Sequence, residues 1–150
     1  MITPHTLAQS DLFADLSETQ LATIIALAEE ETHGPGETLF EEGQAASHLY
    51  ILLSGEVTIE VQSNTSPQRL ATASLNRPGQ LVGWSGFVEP HSYTAAAICQ
   101  AECRLLAIPG EKLMKALTDD PAMGFVVMRR TAELISGRLR NVQHFVLKSL

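Results

Sequence analysis

The run "LVGWSGFVEPHSYTAAAI", residues 81–98, has the residue types of a loop that holds a small molecule. Glycines frame its start, and the backbone amides of the turn from Gly83 to Gly86 are suited to cradle an anion. Trp84 adds an apolar plate with one N–H donor. Hydroxyl groups come from four residues, Ser85, Ser92, Tyr93 and Thr94. Because the run contains no Lys or Arg, it predicts binding through amides, hydroxyls and aromatic surface.

Two residues of this run have more than one interpretation. Trp84 either stacks against a ligand or fills the pocket as a core plug, and both roles stay open. His91 is the nearest residue that can become cationic, but an imidazole is neutral or only partly charged near pH 7. Its place next to Pro90 favours an exposed turn residue over an anion-binding one.

Residues able to perform catalysis or hold a metal do not gather into a motif. The five histidines lie apart, with no helical i, i+4 pair of the kind that binds zinc. The chain has no nucleophile elbow, P-loop or paired-glycine dinucleotide motif. A cupin-like metal site is the enzyme-class alternative, but among the histidines only His48 falls in a predicted strand, at its start. We therefore expect no catalysis, no metal and no cofactor.

Length, composition and charge favour one globular domain. The chain has 150 residues, of which 45% are hydrophobic and 18% charged. Its net charge of −7 excludes a chain-wide basic footprint for nucleic acid. Residues 1–90 carry two basic residues against twelve acidic ones, whereas residues 121–150 carry five basic residues against one acidic residue. We interpret those five charges as the exposed face of a coiled-coil helix, and we expect no direct DNA binding.

The same features predict a cytoplasmic protein. No segment reaches the ~18 consecutive apolar residues of a spanning helix, so no membrane partner is expected. The N-terminus lacks the basic-then-apolar pattern of a signal peptide. Cys99 and Cys103 are expected to be small buried thiols in a reducing compartment rather than a disulfide.

The elements that must position these residues are short strands flanked by helices. "SETQLATIIALAEE" predicts a helix with Ser17 as N-cap and Gln20 completing a capping box. After "HGPG", short runs separated by turn residues predict strands, and "SGEV" predicts a tight turn between two of them. The runs are "ETLFEEG", "HLYILLSGEVTIEVQ", "RLATASL", "QLVGW", "SYTAAAIC" and "CRLLAI". The fold class is therefore mainly β with flanking helices, a compact antiparallel jelly roll or barrel.

The end of the chain predicts two more helices. "PGEKLMKALTDDP" gives a short one that stops near Pro121, and residues 121–150 give a long one. An apolar seam runs along the long helix at steps of three and four, through Phe125, Met128, Ala132, Ile135, Leu139, Val142 and Val146. Val127 and Leu134 offer a second apolar edge for packing on the strands. We therefore interpret the seam as a homodimer interface rather than as internal packing.

The stretch "HGPGETLFEEGQAASHLYILLSGEVTIEV" resembles the cyclic-nucleotide-binding domain of the catabolite-activator (CRP/FNR-type) superfamily. The matching motifs are G-E-x-L-F-x-E-G, residues 36–43, and "LYILLSGEVTI", residues 49–59. "LFADLSETQLATI" matches the entry helices of the family, and "CRLLAIPGEKLMKAL" matches its last strand and the helix that follows. The resemblance implies a double-stranded β-helix, or β-roll, with N-terminal helices over residues 1–120. A dimerisation helix then forms residues 121–150 of the same domain.

The resemblance also implies a phosphate-binding loop in the opening run. In the family this loop carries a Glu that accepts from the ribose hydroxyl and an Arg that pairs with the cyclic phosphate. Here Gly83 matches the glycine of the loop, Trp84 stands where the Glu is expected, and Ser92 or Tyr93 stands where the Arg is expected. Because both ionic anchors are replaced, we expect weak or absent binding of cAMP and cGMP.

The long helix of the family often places a polar side chain over the base. Gln143 is the nearest candidate and Asn141 the second. The candidate ligand residues are therefore Gly83, Trp84, Ser85, Ser92, Tyr93, Thr94 and Gln143.

Three functions follow from this resemblance. The first is a stand-alone, dimeric regulatory domain that senses a small molecule, cyclic nucleotide or other. Such a domain moves its long helix or signals to a protein partner. The second is a ligand-free interaction module in which Trp84 plugs the roll. The third is a truncated transcription regulator that pairs with DNA-binding relatives, because the family's helix-turn-helix domain does not follow the long helix in this sequence.

Overall fold

Eight strands lie between two short helices and two C-terminal helices. The computed structural model describes residues 2–149, without the side chains of Phe145, Lys148 and Ser149. Met1 and Leu150, the ends of the predicted ranges 1–120 and 121–150, lie outside the described residues, as does the side chain of Lys148, one of the five C-terminal basic residues. The helices are α1 (Pro4–Ala8), α2 (Glu18–Ile25), α3 (Gly110–Asp119) and α4 (Pro121–Ser149). The strands are β1 (Glu29–His33), β2 (Thr38–Phe40), β3 (His48–Ser54), β4 (Val57–Gln62), β5 (Arg69–Leu75), β6 (Leu81–Val82), β7 (Ala96–Cys99) and β8 (Cys103–Pro109).

The strands form two four-stranded antiparallel sheets with non-sequential neighbours. One sheet has the order β1-β8-β3-β6 and the other the order β2-β7-β4-β5. Consecutive strands therefore alternate between the sheets, except in the β4–β5 hairpin, as a jelly roll requires. This arrangement confirms the predicted fold class, a β-roll with flanking helices and a long C-terminal helix.

Two apolar clusters hold the fold together. One lies inside the roll and joins residues of both sheets, including Leu52, Val57 and Leu105. The other lies between the first sheet and the helices, and includes Leu49, Ile51 and Val127. Neighbouring residues of β3 enter different clusters because successive side chains of a strand point to opposite faces. The helices are thereby packed against the outer face of one sheet.

Helix α2, predicted from "SETQLATIIALAEE", is shorter than predicted. The capping box is confirmed, since the Ser17 side chain accepts from the Gln20 amide and the Gln20 side chain accepts from the Ser17 amide. The helix then ends at Ile25, and Glu29–His33 is strand β1 rather than the helix end predicted from "AEE". β1 pairs along its whole length with the edge of β8, from Glu29 opposite Ala107 onwards. That backbone pairing outweighs the helix propensity of glutamate.

The turn at "SGEV" is present but does not make a hairpin. β3 pairs with β8 and β6, whereas β4 pairs with β5 and β7. The chain therefore crosses from one sheet to the other at Gly55. An alternating pattern on both sides of a tight turn is common to hairpins and to crossings, so the sequence alone does not distinguish the two.

The long helix α4 has two different apolar faces. Val127 is fully buried against the roll and Leu134 is partly buried there, as predicted for the second apolar edge. The seam faces away from the core for most of its length, with Phe125 67% and Leu139 58% exposed. Met128, Ala132, Val142 and Val146 are exposed as well, and Ile135 is half-buried. None of the helices within residues 2–149 is long and apolar enough to cross a membrane.

Candidate ligand-binding site

A cavity of about 350 Å³ lies between the second sheet and α4. Its floor consists of roll residues, chiefly Phe40, Ile59, Val61, Ala73 and Tyr93. Its roof consists of α4 residues, Ile135, Arg138, Leu139, Asn141 and Val142. Its end wall is the turn predicted to bind ligand, with Gly83, Trp84, Ser85 and Thr94. The volume falls in the range of small-molecule sites, which begins at about 300 Å³.

The end wall is a single 3₁₀ turn, Trp84–Gly86, held by backbone contacts. Gly83 adopts the left-handed conformation (φ 79°) that starts the turn, which glycine reaches without steric cost. The Gly86 amide donates to the Gly83 carbonyl at 3.1 Å, so this amide is engaged within the turn. His91 caps the same segment, with its Nδ1 3.1 Å from the Ser85 carbonyl oxygen, and its side chain is otherwise exposed.

The structure brings five of the seven predicted ligand residues to the cavity. Gly83, Trp84, Ser85, Tyr93 and Thr94 line it. Ser92 lies outside the lining and forms an isolated bridge with Ala45. Gln143 also lies outside the lining, whereas Asn141, the second candidate on α4, is part of the roof.

Tyr93 offers its ring rather than its hydroxyl to the cavity. The hydroxyl donates to the His48 carbonyl oxygen at 2.6 Å, so its proton is already committed. The ring stacks on Phe40 with centroids 3.7 Å apart. Burial raises the pKa of Tyr93, so the phenol stays protonated at neutral pH. The Tyr93 hydroxyl, which the sequence offered as a ligand-binding group, is therefore hydrogen-bonded within the protein.

Trp84 lies in the wall of the cavity. Its side chain is half-buried and packs partly against the core under the helices. A cavity of about 350 Å³ remains beside it. The space next to the turn is therefore open in this conformation, with the indole ring as one of its surfaces.

Arg138 of α4 brings a positive charge that the local sequence of the turn lacks. Its guanidinium carbon lies 5.0 Å from the centroid of the Trp84 ring, and its Nη2 donates to the Leu81 carbonyl oxygen. Loss of hydration lowers the pKa of Arg138 to about 10, partly opposed by the charge of Asp11. The group therefore stays protonated at neutral pH. The prediction that His91 is the nearest cation is wrong, because Arg138 lies in the cavity roof.

The prediction that all five C-terminal charges lie on an exposed helix face is likewise wrong. Arg130 donates to Asp15 at 2.6 Å, and Arg138 turns toward the roll. A signal for this was available in the sequence. Val127, Thr131, Leu134 and Arg138 step by four, three and four residues along the face of α4 that meets the roll. Continuing the second apolar edge by one helical turn reaches Arg138.

The seam and the cavity share residues. Ile135, Leu139 and Val142 belong to the predicted dimer interface and also line the cavity roof. The remaining seam residues, such as Phe125 and Met128, lie outside the cavity. A ligand in the cavity would therefore touch the same helix that is expected to pair with a second copy.

Other candidate chemistry is sparse in the part of the chain that the structure describes. Among residues 2–149, the side chains of His, Cys, Asp and Glu form no cluster of three that could hold a metal ion. Cys99 and Cys103 are both buried free thiols, and burial raises the pKa of Cys99 to about 12. A thiol with so high a pKa is a poor nucleophile at neutral pH.

Comparison with known proteins agrees with this architecture. The cyclic nucleotide-binding domain family matches residues 30–120. A candidate cyclic nucleotide-binding protein of Geobacter metallireducens GS-15 has a similar structure, with a TM-score of 0.80 and 30% identity over 93% of this chain and 99% of that one. The N-terminal domain of a transcriptional regulator from Streptomyces coelicolor has a TM-score of 0.73 and 28% identity, covering 94% of both chains.

A full-length regulator is similar in sequence as well. The CRP-like cAMP-activated global transcriptional regulator of Mycobacterium tuberculosis is 23% identical over 138 residues, which is 92% of this chain. This chain spans 59% of the length of that regulator. These relatives and the matched residues bear out the resemblance seen in the glycine-rich motifs. The chain therefore belongs to the cyclic nucleotide-binding domain family.

Proposed function

We propose that this domain is a non-catalytic, cytoplasmic regulatory module that binds a small molecule in the cavity under α4. The main support for the proposal is the cavity, which the turn Trp84–Gly86 closes on one side and α4 closes on the other. In this arrangement a bound molecule contacts the roll and the helix together. The position of α4 is then the natural output, provided that the ligand binds two helix positions with different affinity.

We further propose that cAMP and cGMP are poor ligands of this cavity. Trp84 stands where a carboxylate would accept from the ribose hydroxyls, and the floor beneath it is apolar. Arg138 adds a charge, but it approaches from α4 and lies over the indole ring rather than within the turn. A cyclic nucleotide would bury its ribose hydroxyls against apolar residues, which is costly without hydrogen-bond partners.

Blocking the cavity tests the proposed ligand-binding function. Ala73 is a small, half-buried residue of the floor, and Ala73→Trp would fill the space above it. Ala71→Trp on the same strand is the matched control, because Ala71 is exposed and lies outside the lining. In a thermal-shift screen of small metabolites, we expect compounds that raise the melting temperature of the wild type and of Ala71→Trp but not that of Ala73→Trp. A screen in which every stabilising compound acts equally on all three proteins would contradict the proposal.

We propose that two copies pair through the seam of α4. The support is the row of exposed apolar side chains along one face of a helix that is already anchored to the roll by its other face. Surface rows of this length are unusual in monomers and are typical of interaction sites. Since Ile135, Leu139 and Val142 also roof the cavity, pairing and ligand binding would influence each other.

Two alternative functions are each supported by a specific observation. The exposed seam and the neighbouring Leu147, which is 66% exposed, are equally suited to a different protein partner, as in a ligand-free interaction module. Similarity to the N-terminal domain of the Streptomyces coelicolor regulator supports a role beside DNA-binding relatives. Affinity purification of the tagged protein, followed by identification of co-purifying chains, separates these alternatives from self-pairing.

A further inference from the structure

Arg138 forms no ion pair among the described residues, although the charge of Asp11, which is paired with Arg77, acts on it without contact. Its polar contact is the neutral carbonyl oxygen of Leu81, and its flat face lies on Trp84. Arg130, two helical turns earlier, instead forms an ion pair with Asp15 at 2.6 Å. An arginine presents five N–H donors in a planar fork, so one carbonyl oxygen leaves most of this capacity unused. Arg138 thus differs from Arg130 of the same helix, because Arg130 forms a surface ion pair and Arg138 does not.

The surroundings of Arg138 make an unpaired charge costly. Loss of hydration is the main cause that lowers its pKa to about 10, yet the group remains protonated at neutral pH. Charges that are withdrawn from water are ordinarily paired or hydrogen-bonded. A negative group that enters the cavity beside the guanidinium would supply the missing partner, and the fork geometry favours a carboxylate bound by two parallel hydrogen bonds.

The rest of the cavity is mainly apolar, apart from the side chains of Ser85, Thr94 and Asn141. Phe40, Ile59, Val61 and Leu139 present hydrocarbon surface, and Tyr93 presents its ring because its hydroxyl proton is bonded to His48. Thr72 also uses its hydroxyl internally, donating to the Ile59 carbonyl oxygen at 3.3 Å. Arg138 is the one charged residue among the described residues of the lining. A ligand with a second charge or many hydroxyls would find few partners here.

We propose that the cavity binds a carboxylate with an apolar body, the carboxylate on Arg138 and the body between the floor residues and the α4 roof. This inference rests on the proposed ligand-binding function and names its ligand class. It places the recognition of negative charge on α4 rather than on the turn. An anion that pulls on Arg138 would therefore act directly on the helix that carries the seam.

The competing role for Arg138 is a purely structural one. In that case the guanidinium only clamps α4 onto Trp84 and the Leu81 carbonyl, and charge in the ligand makes no difference. The two roles differ in what they predict for a charged ligand and its uncharged analogue of the same shape.

Octanoate and 1-octanol make this pair of probes, and calorimetric titration of the full chain measures both. For the wild type we expect octanoate to bind about tenfold or more tightly than 1-octanol, because a charge-assisted hydrogen bond is gained. This arm of the experiment needs no substitution and is independent of any folding defect. Equal affinities of the two probes, or no binding of octanoate, would overturn the inference.

Variants of α4 then assign the effect to Arg138. We expect Arg138→Met to bring octanoate down to the affinity of 1-octanol, and Arg138→Lys to retain part of the difference. Arg140→Met is the matched control, because it removes the same charge from an exposed position of the same helix. An octanoate affinity in Arg138→Met within twofold of the wild type would assign Arg138 to the structural role.

The experiments distinguish failure of the carboxylate inference from failure of the proposed ligand-binding function. If uncharged compounds stabilise the wild type and not Ala73→Trp while octanoate fails to bind, the proposed ligand-binding function stands and the carboxylate inference falls. If Ala73→Trp and the wild type respond alike to every compound, the cavity function itself falls.

Discussion

At the scale of single residues, the position of the 3₁₀ turn Trp84–Gly86 depends on a contact between two glycines. A side chain on Gly110, at the start of α3, would place its Cβ only 1.6 Å from the Gly86 carbonyl oxygen. Gly110 also donates its amide to the Ser47 carbonyl at 2.9 Å. The backbone of the 3₁₀ turn thus rests directly on the first residue of α3. This contact fixes the end wall of the cavity relative to the helices.

Replacing Gly110 should therefore loosen both the fold and the site. We expect Gly110→Ala to lower the free energy of unfolding by about 1–3 kcal/mol, because the added methyl group forces the two backbones apart. Urea unfolding followed by circular dichroism measures this change. Gly34→Ala is the control, because a methyl group added at Gly34 would meet no atom within 4 Å and the φ of Gly34 is not positive. That variant should keep or slightly raise the stability, and equal losses in the two variants would refute the packing explanation.

The candidate site was predictable at this scale only in part. Gly83, Trp84, Ser85, Tyr93 and Thr94 come from one continuous run, and they were selected by residue type together with the family resemblance. The same run also supplied Ser92, which lies outside the lining. Arg138 lies more than fifty residues further along the chain than Trp84, and only the packing angle of α4 brings it over the indole ring. The fate of the Tyr93 hydroxyl likewise depends on His48, a contact that no local pattern encodes.

At the scale of elements, α4 connects the two properties that the proposed function needs. One face packs on the roll through Val127 and Leu134, and the next face is the exposed seam. Ile135 and Leu139 of the seam, together with Arg138, roof the cavity. A displacement of the helix that adapts to a ligand must therefore also displace the seam. Ligand binding and pairing through the seam would therefore be coupled by α4 alone.

Pairing through the seam can be tested without touching the cavity. Met128 is exposed and belongs to the seam but not to the lining. We expect Met128→Glu to raise the dimer dissociation constant by about tenfold or more, because a carboxylate would be buried in an apolar interface. Sedimentation velocity over a range of protein concentrations measures the constant.

His144→Glu provides the control, since His144 is exposed on the same helix and lies outside the seam. It should leave the dimer unchanged. A wild type that stays monomeric at every concentration, or equal weakening by both substitutions, would contradict pairing through this face.

The periodicity of apolar residues predicted some elements of the fold but not others. The roll-facing edge of α4 and most of the seam lie on separate faces as predicted, because a 3.6-residue period keeps each stripe on one face. Ile135 of the seam is half-buried and lines the cavity, which the period alone did not indicate. β1 was missed because "EEETH" has no apolar alternation. Its strand conformation comes from pairing with β8, and the two strands are about seventy residues apart in the sequence.

At the scale of the whole molecule, the protein has the architecture of its family. The jelly roll was predictable because strand lengths, turn residues and the motifs of residues 36–59 act together. The crossing at Gly55 was not, because the choice between hairpin and crossing depends on which strand offers a free edge. In this chain that edge is provided by β8 and β6 for β3, and by β7 and β5 for β4.

The central claim of the proposed function is that the domain has a ligand cavity but lacks the anchors for cyclic nucleotides. By the family resemblance, the two charge-assisted contacts of the turn would be missing. Each is worth about 1.5–3 kcal/mol, so their combined loss would weaken binding by about two to four powers of ten. Arg138 offsets at most one of them, and it does so from the opposite wall.

Calorimetric titration of the wild type with cAMP and cGMP tests this claim most directly. We predict no saturable heat below millimolar concentrations of either nucleotide, from a protein that is folded under the same conditions. A dissociation constant in the low micromolar range or tighter, for either nucleotide, would contradict the claim.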